Sequence, residues 1–489
     1  MSRKTVLNRG YQHANHPSPV TRRELLAQGC LSFGTYALMP SVISIFASKA
    51  YGEGEPTCKA DATVGMIPFL VIDLAGGGNI AGTNVIVGKK GGQMDSLAAG
   101  SYATIGLGAD KEPKAAGVTL DTSLGLAFHP DSQMLAGIKT AAPTASASGF
   151  IDGALFCTAS VDDTRSNPHN PLYWIAKAGL GGSLVSLVGN KTGASGGSAA
   201  APADSIDPSK QPSIITKPAD ALGLVDPGKL ATLLGATGSA DVQKVMNAIK
   251  TMSESKLAMF QQKSVPSQIQ DLIKCGYISS ANYLSQFTPD ALDATKDTDV
   301  AKAFPGLATD PAQKAAGAIA KLVLDGYAGG GSVALGGFDY HGQGRAQQDK
   351  QDLLAGQAIG RALELAALKK KPLMIYVFTD GGVSAGGGGN GILAFSADSG
   401  VRSAAFSLIY NPAGKPEVRN TGRQIGAYTD AGGVDSTAML TSNNIETLGK
   451  AVVANYLALH GKEGDLAKAV GDDPFGADLE KYLVYSKIV

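Results

Sequence analysis

Asp339 and His341 stand two residues apart at the end of Gly336-Gly337-Phe338-Asp339-Tyr340-His341, just after a short apolar run, Ser332 to Leu335. On an extended backbone this spacing turns both side chains to one face, where a carboxylate and an imidazole can share a metal ion or orient a general base. The structural alternative is that Asp339 hydrogen-bonds the backbone of a tight glycine turn and His341 packs against it. Asp380 follows the apolar stretch Leu373 to Phe378, and Asp73 lies inside the stretch Met66 to Leu74. A carboxylate within such a run has to be paired, hydrogen-bonded or bound to a cation. With Asn79, in the glycine turn after Asp73, these residues make a candidate metal set of Asp73, Asn79, Asp339, His341 and Asp380. Its oxygen-rich chemistry suits one divalent cation such as Ca²⁺ or Mg²⁺ better than zinc. Thr379 and Ser384 are the candidate nucleophiles, although no base stands near either in the sequence.

Other motifs exclude more than they suggest. Phe378-Thr379-Asp380-Gly381 is similar to one metal loop of a von Willebrand A domain, but Asp73 runs on into Leu74-Ala75-Gly76 where that domain needs Asp-x-Ser-x-Ser. The glycine runs 76–78 and 386–391 open no helix with Gly-x-Gly-x-x-Gly, and no Gly-Lys-Ser or Gly-Lys-Thr occurs, which argues against nucleotide binding. His169, in a proline-rich turn, reads as a loop contact. Lys+Arg and Asp+Glu both number 42, so the balanced charge gives no reason to expect a nucleic-acid partner. The cysteines Cys30, Cys58, Cys157 and Cys275 have no short spacing of the zinc or redox kind. Once a leader is removed, Cys58, Cys157 and Cys275 allow at most one disulfide, whose pairing the sequence leaves open.

The elements that must position these residues alternate between strands and helices. Met66 to Leu74 and Leu373 to Phe378 read as strands buried on both faces, the mark of a parallel sheet. Further strands are predicted at Thr83 to Val87, Ser101 to Leu107, Gly149 to Cys157 and Ala404 to Tyr410. Helices are predicted from Asp241 to Gln262, from Pro311 to Leu324 behind an Asp310 cap, and from Gln347 to Leu368. A last helix is expected through Leu459, opened by Asn443 and Glu446 as a capping box. Strand, helix, strand across 332–378 predicts a crossover connection in a parallel sheet. The segment 193–218, rich in Gly, Ala, Ser and Pro, reads as a low-complexity loop or insertion within one α/β domain spanning 51–489.

Residues 1–50 form a separate signal segment. Arg22-Arg23 precede a weakly hydrophobic stretch from Leu25 to Phe46, and Ser48-Lys49-Ala50 supplies a small-x-small site for cleavage after Ala50. The arginine pair predicts the twin-arginine translocation machinery as a partner, and thus export to the periplasm or cell surface. The alternative is an N-terminal helix that stays attached. Beyond Ala50 no apolar run reaches the length of a membrane span.

In this arrangement the chain resembles the exported bacterial proteins of the DUF1501 family, distantly related to the alkaline phosphatase and sulfatase superfamily. The likeness is carried by Arg22-Arg23-Glu24-Leu25-Leu26, by Phe69 to Asn79, and by Gly336-Gly337-Phe338-Asp339-Tyr340-His341; His129-Pro130 matches a His-Pro of the family. It implies an alkaline phosphatase-like fold, with a mainly parallel central sheet flanked by helices and Gly-rich loop insertions. After the strand at 373–378 the family continues Ser-Glu-Phe-Gly-Arg-Thr and later Asp-His-Gly. This chain instead has Thr379-Asp380-Gly381-Gly382-Val383-Ser384 and no later Asp-His. The active-site pattern is therefore depleted. The expectation is a non-catalytic exported protein that serves a binding or structural role at the cell envelope or surface, with an envelope protein or a second copy as partner. The alternatives are a divergent metal-dependent hydrolase of phosphate or sulfate esters and a self-assembling extracellular protein.

Overall fold

Phe69–Leu74, strand β1, is buried at every position, and its side chains alternate between two apolar layers. Leu70, Ile72 and Leu74 face one layer, while Phe69 and Val71 face the other. The computed structural model describes residues 66–160, 169–191, 212–225, 289–386, 395–396, 400–420 and 422–489. All of them fall in one compact unit that spans 57–237 and 282–489. Arg22, Arg23, Ala50, the helix expected over 241–262, the glycines 387–391 and most of the loop 193–218 lie outside the described residues.

Seven further strands complete the sheet: β2 (Ile151–Ser160), β3 (Val185–Gly189), β4 (Ser213–Ile214), β5 (Ala328–Leu335), β6 (Leu373–Thr379), β7 (Gly400–Tyr410) and β8 (Gln424–Ile425). Their order is β4-β3-β5-β1-β6-β7-β2-β8. Every pairing is parallel except those of β7, which runs against both β6 and β2. The fold is thus α/β, with an eight-stranded, mostly parallel mixed sheet flanked by helices. The two apolar runs expected to be neighbours are neighbours: Leu70 pairs with Ile375, and Asp73 with Phe378.

The helices include α1 (Gln133–Ala141), α2 (Pro143–Ala147), α3 (Leu172–Lys177), α4 (Pro218–Leu222), α5 (Pro289–Leu292), α6 (Thr298–Ala303), α7 (Pro311–Leu324), α8 (Arg345–Leu368), α9 (Ile445–Ala458) and α10 (Leu466–Val470). Buried side chains of α1, α7 and α8 share a core with Leu70 and Ile72, whereas those of α3, α9 and α10 share one with Phe69 and Val71. Asp310 caps α7 as its position predicts, accepting from the Ala312 N–H at 2.9 Å. None of the described helices is long and apolar enough to cross a membrane.

Several local expectations are corrected. Ser101–Ile105 is a 3-10 helix between left-handed glycines, not a strand, because Gly100 and Gly106 turn the chain at both ends. Around Thr83 to Val87 only isolated bridges form, at Ala81 and Val85. The cap of α9 is Asn444 rather than Asn443, and it accepts from Thr447 N–H. At the end of the predicted low-complexity loop, Ser213–Ile214 pairs with β3 and Pro218 opens α4. Strand β5 begins at Ala328, ahead of Ser332, because its glycines are packing residues. A Cβ at Gly330 would lie 2.7 Å from Leu172 on one face, and one at Gly331 would lie 2.7 Å from Ile319 on the other.

Candidate functional site

The carboxyl ends of β5, β1 and β6 lie side by side, so the turns that leave them form the rim where open α/β sheets hold ligands. The turn after β1, Ala75-Gly76-Gly77-Gly78, is held by both neighbours. Ala75 N–H donates to Leu335 O at 2.9 Å, Phe338 N–H to Ala75 O at 3.3 Å, and Tyr340 N–H to Gly77 O at 3.1 Å. From the β6 side, Asp380 N–H donates to Gly76 O and the Asp380 Oδ2 accepts from Gly76 N–H, both at 3.2 Å. Gly76 is required here: its φ is +118°, and a Cβ would lie 2.4 Å from the Asp339 nitrogen.

Thr379 closes this turn. Its hydroxyl accepts from Gly78 N–H at 2.7 Å and lies 2.5 Å from Gly76 O and 3.0 Å from Leu74 O, to which it donates. One hydroxyl proton and its lone pairs are thereby committed to backbone, and the residue is buried. Ser384 Oγ instead accepts from Arg402 Nη1 at 2.7 Å. Neither hydroxyl has a described carboxylate or imidazole as hydrogen-bond partner.

Asp339 and His341 lie in a turn rather than on an extended strand. The Asp339 Oδ1 accepts from His341 N–H at 3.0 Å, and both residues are exposed while Phe338 and Tyr340, which alternate with them, are buried. The two-residue spacing therefore anchors two aromatic rings and closes an Asx turn, the structural alternative to a shared metal. Asn79 is buried, and its amide nitrogen donates to Thr83 Oγ1 at 3.0 Å and Ile105 O at 3.2 Å.

Asp73 is the exceptional member. Its carboxyl is fully buried, and neither oxygen has a hydrogen-bond partner. Burial first, and the nearby Asp380 carboxylate second, push its pKa well above the usual carboxylate range, while Lys191 at the end of β3 opposes the shift. Among the described residues, no three His, Cys, Asp or Glu side chains converge so as to hold a metal ion. Asp73 and Asp380 thus interact, but Asp339 and His341 do not complete a cluster around them.

Two residues matter here that the sequence did not single out for the site. Lys191 belongs to no motif; only its place two residues after a short apolar strand could have indicated it. His169, read as a loop contact, is buried against the site: its ring stacks on Phe378 at 5.4 Å and 5°, and Nε2 donates to Asp380 O at 3.1 Å. Burial lowers its pKa to about 4, so the ring is neutral at physiological pH. Burial also lowers the pKa of His129, whose Nε2 donates to Lys111 O and whose Nδ1 accepts from Asp131 N–H. Comparison of the chain with protein-family models, with curated proteins and with solved structures finds no match in any of the three.

Proposed function

We propose that this chain is an exported, non-catalytic binding or structural protein of the cell envelope or surface. In this reading it has an alkaline phosphatase-like, DUF1501-like architecture whose catalytic constellation is depleted. The observation that carries the proposal is the Thr379 hydroxyl, which is bonded to Gly78 N–H and shared between two backbone carbonyls. A group held in this way serves the glycine turn and is not poised for attack on a substrate. The Asx turn at Asp339 supports the same reading, because a second functional-looking side chain is spent on the backbone. Export is supported by the Arg22-Arg23 pair and the small-residue site at Ala50, with passage through the twin-arginine machinery to the periplasm or surface.

A second reading, a metal-dependent hydrolase of phosphate or sulfate esters, is favoured by one observation. The unpartnered Asp73 oxygens lie beside Asp380, and a divalent cation would satisfy both carboxylates. Assay of the full chain against aryl phosphates and sulfates, with Mg²⁺, Mn²⁺, Ca²⁺ or Zn²⁺ supplied in turn, separates the two. The binding or structural reading expects no turnover above buffer. Turnover that disappears in Asp380→Asn would overturn it.

A further inference from the structure

A second group of buried polar side chains is joined to the 338–341 turn through Tyr340 and does not include Asp73 or Asp380. Asp352, on α8, is buried and accepts three hydrogen bonds: from Asn84 Nδ2 at 2.6 Å, Gln348 Nε2 at 2.9 Å and Tyr340 OH at 2.8 Å. Asn84 also donates to Asn79 O at 2.8 Å and accepts from the hydroxyl of Ser132, the cap of α1, at 2.7 Å. Three chain segments, 79–84, 338–341 and 345–352, are thus joined through one carboxylate. The Tyr340 hydroxyl has a second acceptor within reach, the Gln348 carbonyl at 3.4 Å, and its single proton serves one strong bond at a time.

We propose that Asp352 and Tyr340 form a proton-operated latch on the glycine turn after β1, in which proton uptake by Asp352 reverses the hydrogen bond between them. With Asp352 ionised, Tyr340 donates to the carboxylate. A proton taken up from solvent at Oδ1 makes the acid the donor to the Tyr340 oxygen, and the tyrosine proton turns to the Gln348 carbonyl. No covalent bond other than the new O–H forms or breaks. The charge-assisted bond that anchors Tyr340 becomes a neutral one, roughly half as strong. Because Tyr340 N–H is bonded to Gly77 O, the change reaches the glycine turn that Thr379 closes.

The surroundings place this switch near neutrality. Burial pushes the Asp352 pKa up to about 6, against the three donated hydrogen bonds and the more distant Arg345 charge, which lower it. The charged and titratable groups on the adjoining segments are few. Arg345 is paired with Asp349 on α8, Lys111 with Asp131, His129 is bonded to Lys111 O, and Asp339, His341 and Lys350 are exposed. Segment 79–84 contributes only neutral side chains. Because the folded-state value is raised, protonation favours the folded chain as a whole. Stability from this group is fully present below the unfolded pKa and is lost as pH rises through about 6. Acidification thus strengthens the whole fold through Asp352 while loosening the local hold on Tyr340.

Carboxyl-carbon NMR of Asp352 and hydrogen-exchange protection of the Tyr340 amide, each from pH 7 to pH 5 in the full chain, test the latch. The expected result is an Asp352 midpoint near 6 and a several-fold fall in Tyr340 protection on acidification. That fall should be absent in Asp352→Asn, whose amide stays in the donor arrangement. The wild-type folding constant relative to that of Asp352→Asn should rise about tenfold from pH 7 to pH 5. If Asp352→Asn does not fold, Tyr340→Phe carries the test. Loss of one donor should move the Asp352 midpoint upward and abolish the pH-dependent protection at residue 340. An Asp352 midpoint in the ordinary carboxylate range, or the same fall in protection in Tyr340→Phe, overturns the proposal.

Discussion

At the amino ends of β5 and β6, Asp297, Lys321, Asp325 and Lys369 close a ring of ion pairs. Lys321 lies 2.9 Å from Asp297 and 2.7 Å from Asp325, and Lys369 lies 2.8 Å and 2.9 Å from the same two carboxylates. At the carboxyl ends of the same sheet, Asp73 has the like charge of Asp380 beside it, opposed by Lys191. Burial works to raise both Asp297 and Asp73. The Lys369 and Lys321 hydrogen bonds overcome it for Asp297, whose pKa falls below the usual range, whereas Asp73 rises. The amino-end ring ties α6, α7 and α8 together, while the carboxyl-end pair strains the fold unless a proton or a ligand relieves it. A carboxylate held between two lysines stabilises the scaffold, whereas the partnerless Asp73 oxygens cost stability.

Substitutions should separate the two ends by sign. Lys321→Met leaves two largely buried carboxylates with one cation between them and should cost about 3–5 kcal/mol in urea unfolding. Gly76→Ala forces a side chain into a φ of +118° against the Asp339 backbone. It should cost about 1–3 kcal/mol from the backbone conformation alone, with added loss from the clash. Thr379→Val keeps the shape but strips the Gly78 N–H of its acceptor, and a loss of about 1–2 kcal/mol is expected in the same assay. Asp73→Val should move the other way, stabilising the chain by about 1 kcal/mol at pH 7. Destabilisation by Asp73→Val at pH 7 would show that this carboxyl is satisfied after all.

The same contrast fixes a pH dependence. Asp297 is lowered in the folded state, so its contribution is present above the unfolded carboxyl pKa of about 4 and is lost on further acidification. Asp73 is raised, so its penalty is fully relieved below that unfolded value and returns as pH rises through its folded pKa. The stability advantage of Asp73→Val should therefore shrink between pH 7 and pH 4. Unfolding curves at the two pH values check this, and a constant advantage would contradict it.

Much of the central sheet was legible. Leu373 to Phe378 and Met66 to Leu74 are apolar without alternation because helices cover both faces, and Asp310-Pro311 announces α7 through the cap it forms. The early part of β5 was not legible, since Ala-Gly-Gly-Gly has low strand propensity and is strand only because Leu172 and Ile319 press on it from either side. The sequence offers Asp73, Asp380, Asp339 and Asn79 as a set that could converge, and of these Asp73 and Asp380 interact. For Asp339 and His341 the sequence leaves two readings, one face of an extended chain or a glycine turn whose backbone Asp339 bonds, and the turn at Gly337 gives Asp339 the second. Nothing in the sequence marks Asp352, because its partners Asn84 and Tyr340 lie in separate segments and form no motif.

The most direct test of the account is the divalent metal content of the full chain purified from its native envelope, measured by mass spectrometry alongside Asp73→Asn. A binding or structural protein whose Thr379 hydroxyl and Asp339 carboxylate are committed to its own backbone predicts well under one equivalent in the wild type and the same value in the variant. One equivalent per chain, lost on Asp73→Asn, would contradict it.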